Sequence, residues 1–169
     1  TARRLWIFDL RSKKLVLRDL VAHGQKSGEN FATQFSNRLG SYQSSLGLFR
    51  TQESYEGSHG YSLRMDGLEP GFNDRARDRA IVIHAADYVN PLWSQRQGRI
   101  GRSQGCPPTQ ARANARRSGD STCVYPEQIA SFPMKVIWQG VSSPQAWSRA
   151  QVWGDPATGA PVRTAISGA

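Results

Sequence analysis

Short apolar runs, separated by turns rich in glycine or charge, recur through the first 107 residues. The run at 80–84 (Ala-Ile-Val-Ile-His) is the most restrictive, because consecutive β-branched residues are typical of a buried central strand. Four further runs have the length of strands: 5–10, 15–21, 46–51 and 61–65. Strands this short, at near-regular spacing, favour an all-β sandwich or barrel, with a short helical turn expected at 75–79.

The pattern changes after Pro107. Residues 108–169 are rich in proline, alanine, arginine, serine and glycine, and only 134–138 has the character of a strand. We therefore predict one domain over 1–107. For 108–169 we predict a tail that is disordered or is the product of a shifted reading frame. The chain starts at Thr1 without an apolar signal region, so we expect a processed or truncated form.

Composition and charge exclude several classes of protein. Hydrophobic residues make up 38% of the 169, an ordinary share for a folded domain, and no apolar run approaches the roughly 20 residues of a membrane span. The net charge of +9 favours anionic partners. The basic residues are scattered, however, without zinc-finger spacing or an RNA-binding motif, so a solvated basic surface is preferred to nucleic-acid binding.

Cys106 and Cys123 are the two cysteines of the chain. Two cysteines are too few for a disulfide framework or a structural zinc site, so we expect no metal. Either they pair with each other, or at least one is a reactive thiol. Cys106 is the better candidate, because it lies in a loop between Gly105 and Pro107, on constrained and accessible backbone.

A nucleophilic thiol needs a base, and His84 can supply it from the end of the 80–84 strand. Gly101 and Gly105 leave room for a substrate backbone, and the amides of 103–106 can stabilise an oxyanion. Both reactive candidates also have ordinary structural interpretations, as an inert loop cysteine and a satisfied histidine.

Seven segments carry a resemblance, in this order: VAHG (21–24), FSN (35–37), GSYQSSLG (40–47), HGYSLRMDGLE (59–69), ND (73–74), RAIVIH (79–84) and GRSQGCP (101–107). Together they resemble the L,D-transpeptidase (YkuD-type) catalytic domain of bacterial cell-wall enzymes, in its murein L,D-transpeptidase branch. The resemblance implies a mainly β fold, an L,D-transpeptidase-like β-sandwich with a short helix or helical turn and long loops. It also implies a protein of the periplasm or cell envelope.

The resemblance assigns roles to individual residues. It implies Cys106 as the nucleophile and His84 as its base, with Ser103, Gln104 and the backbone of Gly105 as support for the histidine or the oxyanion. Gln104 stands where commoner members carry a second histidine, and the residue after His84 is alanine instead of their glycine. The residues that we expect to contact substrate are His59, Tyr61, Arg64, Tyr42 and Arg102.

The implied reaction is acyl transfer on peptidoglycan stem peptides. The thiolate attacks the carbonyl of the diamino acid, D-alanine leaves, and a thioester forms. An amine of a neighbouring stem then completes a 3→3 cross-link, or water completes an L,D-carboxypeptidase reaction, with no cofactor. Two alternatives remain: an inactive cell-wall-binding module of the same fold, and a basic nucleic-acid-binding domain.

Overall fold

The computed structural model describes residues 3–9, 12–111 and 135–138. Its elements, in chain order, are β1 (Leu5–Asp9), β2 (Lys14–Asp19), β3 (Phe49–Gly57), β4 (Gly60–Gly67), β5 (Val82–Ala86), α1 (Pro91–Gln97), β6 (Thr109–Gln110) and β7 (Lys135–Trp138). The predicted fold class is confirmed: the protein is mainly β, with two sheets and one short helix in the described part.

The strands form two sheets that share a hydrophobic core. One sheet has the order β2-β1-β7 and is antiparallel; the other has the order β3-β4-β5-β6 and is antiparallel except for the β5–β6 pair. Leu5 and Ile7 of β1 belong to the same buried cluster as Leu63 of β4 and Ile83 of β5. Apolar side chains from both sheets therefore meet in one layer, as in a sandwich.

Strand β5 lies inside its sheet, between β4 and β6, and is buried along most of its length. The apolar run predicted at 80–84 does form this strand, but two residues later, from Val82 to Ala86. Ala80 has a φ of 53°, and such left-handed backbone cannot continue a strand. His84 consequently stands in the middle of β5, not at its end as the sequence suggested, and its position is fixed on both sides.

The β3–β4 hairpin extends further than its apolar residues indicated. The predicted strand at 46–51 begins only at Phe49 and continues to Gly57 through polar residues, because β4 pairs with it as far as Gly60. Gly60 has a φ of 74°, a conformation that favours glycine in a tight turn. The hairpin turn thus carries Ser58 and His59 at its tip.

The helix α1 was not located by the sequence analysis. At 75–79, where a helical turn was expected, a bond from Arg79 N to Arg75 O (2.9 Å) closes one turn within a series of turns. The helix begins instead at Pro91. Asn90 caps it by accepting a hydrogen bond from Leu92 N, and Gly98 ends it in the left-handed conformation. Asn-Pro before and glycine after a short segment are the signals that could have found it.

Two predictions concern the part of the chain after Pro107. The strand expected at 134–138 is present as β7, at the edge of the first sheet beside β1. Residues 112–134 and 139–169 lie outside the described residues, as does Cys123, so the boundary at 107 and the nature of the tail stay predictions. Among the described residues, no helix has the length and hydropathy of a membrane span.

Candidate active site

Cys106 lies in the loop that leads from α1 into β6, next to the beginning of β5. The parallel register pairs Ala85 with Thr109, and the same register continued backwards brings Cys106 level with Val82. The Cys106 thiol is 3.6 Å from the carbonyl oxygen of Ala80, just before β5. A strand rises about 3.3 Å per residue, so His84 follows Val82 by roughly 7 Å along β5.

The turn that presents Cys106 is closed by its own hydrogen bonds. Ser103 Oγ donates to the carbonyl of Cys106 (2.6 Å) and accepts from Gly105 N (3.0 Å). Gly105 has a φ of 128°, and a Cβ there would lie 2.9 Å from the carbonyl oxygen of Gln43, so a side chain is excluded. In this state Ser103 shapes the loop. The Gly105 N–H is already committed, which leaves the Cys106 N–H as the nearer candidate for binding an oxyanion.

A second set of bonds fastens the Cys106 loop to the segment after β2. Ser103 N donates to the carbonyl of His23 (2.9 Å), and Gln25 N donates to the carbonyl of Ser103 (2.7 Å). Gly24 between them contacts Tyr42 and Ser44 so closely that a Cβ would clash with backbone. The VAHG segment that carried part of the resemblance is therefore the support of the cysteine loop.

The surroundings of Cys106 oppose a free thiolate at rest. Its half-buried side chain packs against the core cluster, and burial raises the pKa of the thiol. A backbone hydrogen bond from Val82 and the positive charge of Arg79 act in the opposite direction and lower this pKa, but burial is the largest cause. A protonated thiol in such a place needs a base to become a nucleophile.

Arg79 is a residue of this site that the sequence analysis did not assign. Its guanidinium donates to the carbonyl of Ser36 (2.6 Å), to the hydroxyl of Ser41 (3.1 Å) and to the hydroxyl of Ser45. A Cβ on Gly105 would lie 3.3 Å from its Nη2 atom, so the charge is directly beside the cysteine loop. An arginine immediately before a buried strand was the available signal, because such a charge needs partners.

His84 is buried, with 4% of its surface exposed, and lies on the face of β5 opposite Ile83. Its Nδ1 atom is 2.9 Å from the carbonyl oxygen of Ala85. Since a carbonyl only accepts, Nδ1 carries the proton and the neutral ring has its lone pair on Nε2. Burial is the largest cause that lowers the pKa of His84. The hydrogen bond to the Ala85 carbonyl raises this pKa and the charge of His59 lowers it, and the net shift is downward, so the ring is a neutral acceptor at neutral pH.

The imidazole of His59 stacks on that of His84. The ring centroids are 4.6 Å apart and the planes meet at 26°. His59 is exposed at the tip of the β3–β4 hairpin, so it separates one face of the buried ring from solvent. Within the described residues no hydrogen bond joins the Cys106 sulfur to the His84 ring in this state.

The remaining predicted site residues are distributed over three places. Arg64 pairs with Glu53 (3.2 Å) and covers the Tyr55 ring, on the β3–β4 hairpin. Tyr42 has a φ of 56° and its ring faces the Lys26 ammonium at 5.2 Å. Tyr61 is half-buried on β4, Gln104 is exposed beside Ser103, and Arg102 binds carbonyl groups of the segment at 25–28. The structure thus brings His59, but not Arg64, against His84.

The arrangement is a half-buried thiol with a raised pKa, in a loop beside a strand that carries a neutral histidine, which suits nucleophilic acyl transfer. None of the described residues forms a group of three or more acidic, histidine or cysteine side chains able to hold a metal. A family model described as the L,D-transpeptidase catalytic domain matches residues 1–116. No curated protein and no solved structure matches the chain.

Proposed function

The chain belongs to the L,D-transpeptidase catalytic domain family, and on that premise we propose that it is a cysteine-dependent L,D-transpeptidase acting on peptidoglycan stem peptides. Family membership supports a function in peptidoglycan and a place of action outside the cytoplasm. The observation that supports the finer proposal is the position of Cys106 level with Val82 at the start of β5, two residues before the neutral His84 on that strand.

The two pKa shifts favour a resting pair in which both groups are uncharged. Burial raises the pKa of the Cys106 thiol and lowers that of His84, so a thiolate–imidazolium pair is disfavoured before substrate arrives. Proton transfer then accompanies attack: His84 Nε2 takes the Sγ proton as the sulfur bonds to the peptide carbonyl carbon. The carbonyl of Ala85, bonded to Nδ1–H, stabilises the imidazolium that results.

The first half-reaction ends with a thioester. The tetrahedral intermediate collapses, the bond between the diamino acid carbonyl and D-alanine breaks, and the imidazolium returns its proton to the departing amine. In the second half-reaction an amine of another stem, or water, gives a proton to Nε2 and attacks the thioester, and Cys106 leaves as the thiol. The positive charge of Arg79 stabilises sulfur whenever it is negative, because it lies beside the loop.

The decisive experiment is mass spectrometry of the full chain with a carbapenem or with a stem tetrapeptide. We expect one covalent adduct at Cys106, release of D-alanine from the tetrapeptide, and neither in Cys106→Ala. Cys123→Ser is the matched control, and its adduct should form as in the parent chain. Loss of the adduct in Cys123→Ser, or an adduct that survives Cys106→Ala, would contradict the proposal.

The absence of an adduct, together with a binding assay, separates the two alternatives. A wall-binding module would sediment together with insoluble peptidoglycan and form no adduct. A nucleic-acid-binding domain would shift DNA in a salt-sensitive manner, again without an adduct.

A further inference from the structure

Residues 98–102, just before the turn that holds Cys106, form one wall of a cavity of about 260 Å³. Of the described residues that line it, three are arginines (Arg4, Arg99 and Arg102) and one, Glu29, is acidic. The volume is close to the lower limit of small-molecule sites and suits a group of a few heavy atoms. We call it the arginine cavity.

Glu29 shows which chemical group the arginine cavity accepts. Its Oε1 atom is 2.9 Å from Arg102 Nη1 and its Oε2 atom is 3.4 Å from Arg99 Nε. One carboxylate thus bridges two guanidinium groups, an arrangement that selects planar carboxylates. The Glu29 side chain is 75% exposed, whereas those of Arg99 and Arg102 are 33% and 19% exposed. The guanidinium groups are the fixed part, and the carboxylate reaches them from solvent.

Two of the three arginines, Arg102 and Arg4, are held in place by backbone groups of other segments. Arg102 Nη1 also donates to the carbonyl oxygens of Gly28 (2.8 Å) and Gln25 (3.0 Å). Arg4 Nη2 donates to the carbonyl of Val21 (3.1 Å) and is 3.3 Å from His23 Nδ1. A binding group that is already ordered loses little conformational freedom when a ligand arrives.

We propose that the arginine cavity binds the free terminal carboxylate of a peptide, which takes the place of Glu29. An exposed ion pair is weak and is therefore easily exchanged for a ligand carboxylate of the same geometry. Phe31, exposed at the rim, and Ile100 in the wall supply apolar surface for the side chain next to that carboxylate. The identity of the peptide as a stem ending in D-alanine depends on the proposed function, whereas the carboxylate chemistry does not.

The position of the cavity connects it to the reaction. Arg102 and Cys106 belong to one loop, and the hydroxyl of Ser103 between them bonds the Cys106 carbonyl. A stem carboxylate held at Arg99 and Arg102 therefore places the rest of that peptide near the loop that carries the thiol.

The test is isothermal titration calorimetry on the full chain carrying Cys106→Ala, so that binding is measured without turnover. The probes are a stem tetrapeptide ending in D-alanine, its C-terminal amide, and sodium acetate. We expect the acid to bind at least about tenfold more tightly than the amide, since the charge-assisted contacts to two guanidinium groups are lost. Glu29→Gln should bind the acid several-fold more tightly because the internal competitor is removed, and Arg99→Gln should bind it about tenfold more weakly.

Arg50→Gln is the matched control. It removes one positive charge from β3, where Arg50 pairs with Asp66 at 3.7 Å, and should leave the affinity unchanged. Equal affinity for acid and amide, or no gain in Glu29→Gln, overturns the proposal, and Glu29 is exposed enough for its variant to fold. Acetate that competes as well as the peptide overturns the peptide assignment. Binding that persists while Cys106 of the parent chain forms no adduct would refute the enzyme proposal alone.

Discussion

Two buried histidines, His23 in the segment after β2 and His84 in β5, differ in what their ring nitrogens contact. Both are almost fully buried, and burial is the largest cause of the lowered pKa of each. In His23 both nitrogens are engaged: Nδ1 with Arg4 (3.3 Å) and Nε2 with the carbonyl of Gly28 (3.3 Å). In His84 only Nδ1 has a hydrogen-bond partner among the described residues.

This difference separates a structural histidine from a candidate base. A lowered pKa makes either ring a neutral acceptor, but only a nitrogen that is not already bonded can take a proton from a thiol. The Nδ1 atom of His23 accepts a hydrogen bond from Arg4 and is therefore not free to take a proton. His23 thereby holds one side of the arginine cavity. His84 keeps Nε2 available, and the Ala85 carbonyl fixes which nitrogen that is. Burial and pKa alone would not have distinguished them.

The largest effect that the comparison predicts is on His84. His84→Gln keeps a polar side chain of similar length but removes the base, so acylation by the tetrapeptide should slow by about 10² to 10⁴. The rate of D-alanine release, with circular dichroism to confirm the fold, measures this. A loss below tenfold in a folded variant would show that His84 is not the base.

His23→Gln should have the opposite effect to His84→Gln: it should lower stability and leave acylation nearly unchanged. We expect the free energy of unfolding to fall by about 1–3 kcal/mol, because the bonds to Arg4 and to the Gly28 carbonyl are lost or distorted in a buried place. Acylation by the folded variant at saturating tetrapeptide should stay within a few-fold of the parent chain, since His23 does not act on the thiol. Urea denaturation monitored by tryptophan fluorescence gives the first quantity. An acylation loss as large as that of His84→Gln would contradict the assignment of His23 as a structural histidine.

The pH dependence of stability tests the property that the two histidines share. Each has a folded-state pKa below its unfolded value of about 6.5, so the unfolded chain binds more protons as the pH falls below that value. Stability should therefore be fully present above pH ~6.5 and decline below it, by up to about 1.4 kcal/mol per pH unit for each histidine. Urea titrations between pH ~4.5 and ~7.5 measure this slope, and His23→Gln should make it shallower. An unchanged slope would mean that the pKa of His23 is not lowered by folding.

The smallest expected effect belongs to His59. His59→Phe keeps an aromatic ring against His84 but removes the charge that lowers the pKa of His84. The acid limb of the pH–rate profile should then move to higher pH, by less than about one unit, since burial remains the main cause. A shift to lower pH would contradict the assigned electrostatic role.

The sequence was informative where local pattern decides structure. The β-branched run at 81–83 predicted the buried strand β5, and the glycines around His59 predicted the hairpin turn. Helix α1 was missed because seven residues give too little periodicity, although Asn90 and Gly98 mark its ends. Predictions that need long-range geometry were weaker: His84 was expected at a strand end and lies in mid-strand.

The electrostatic parts of the site could not be obtained from local pattern. Arg79 and Ser36 are far apart in the sequence, and their bond exists only because the loop at 36–45 folds over the cysteine loop. The bridge from Glu29 to Arg99 and Arg102 is of the same kind. In a chain of net charge +9, the sequence alone does not show which basic residues pair with which partners, because those pairs form only in the folded structure.

The β5–β6 pair is parallel, so the chain that leaves the end of β5 must cross back to the other end of the sheet before β6 begins. That return path contains α1, in which no residue is buried. Insertions or deletions in α1 can therefore change the surface before the cysteine loop, while the β5–β6 pairing keeps that loop next to the strand that carries His84. This crossover is the natural place for evolution, or for protein engineers, to alter selectivity without disturbing the reacting atoms.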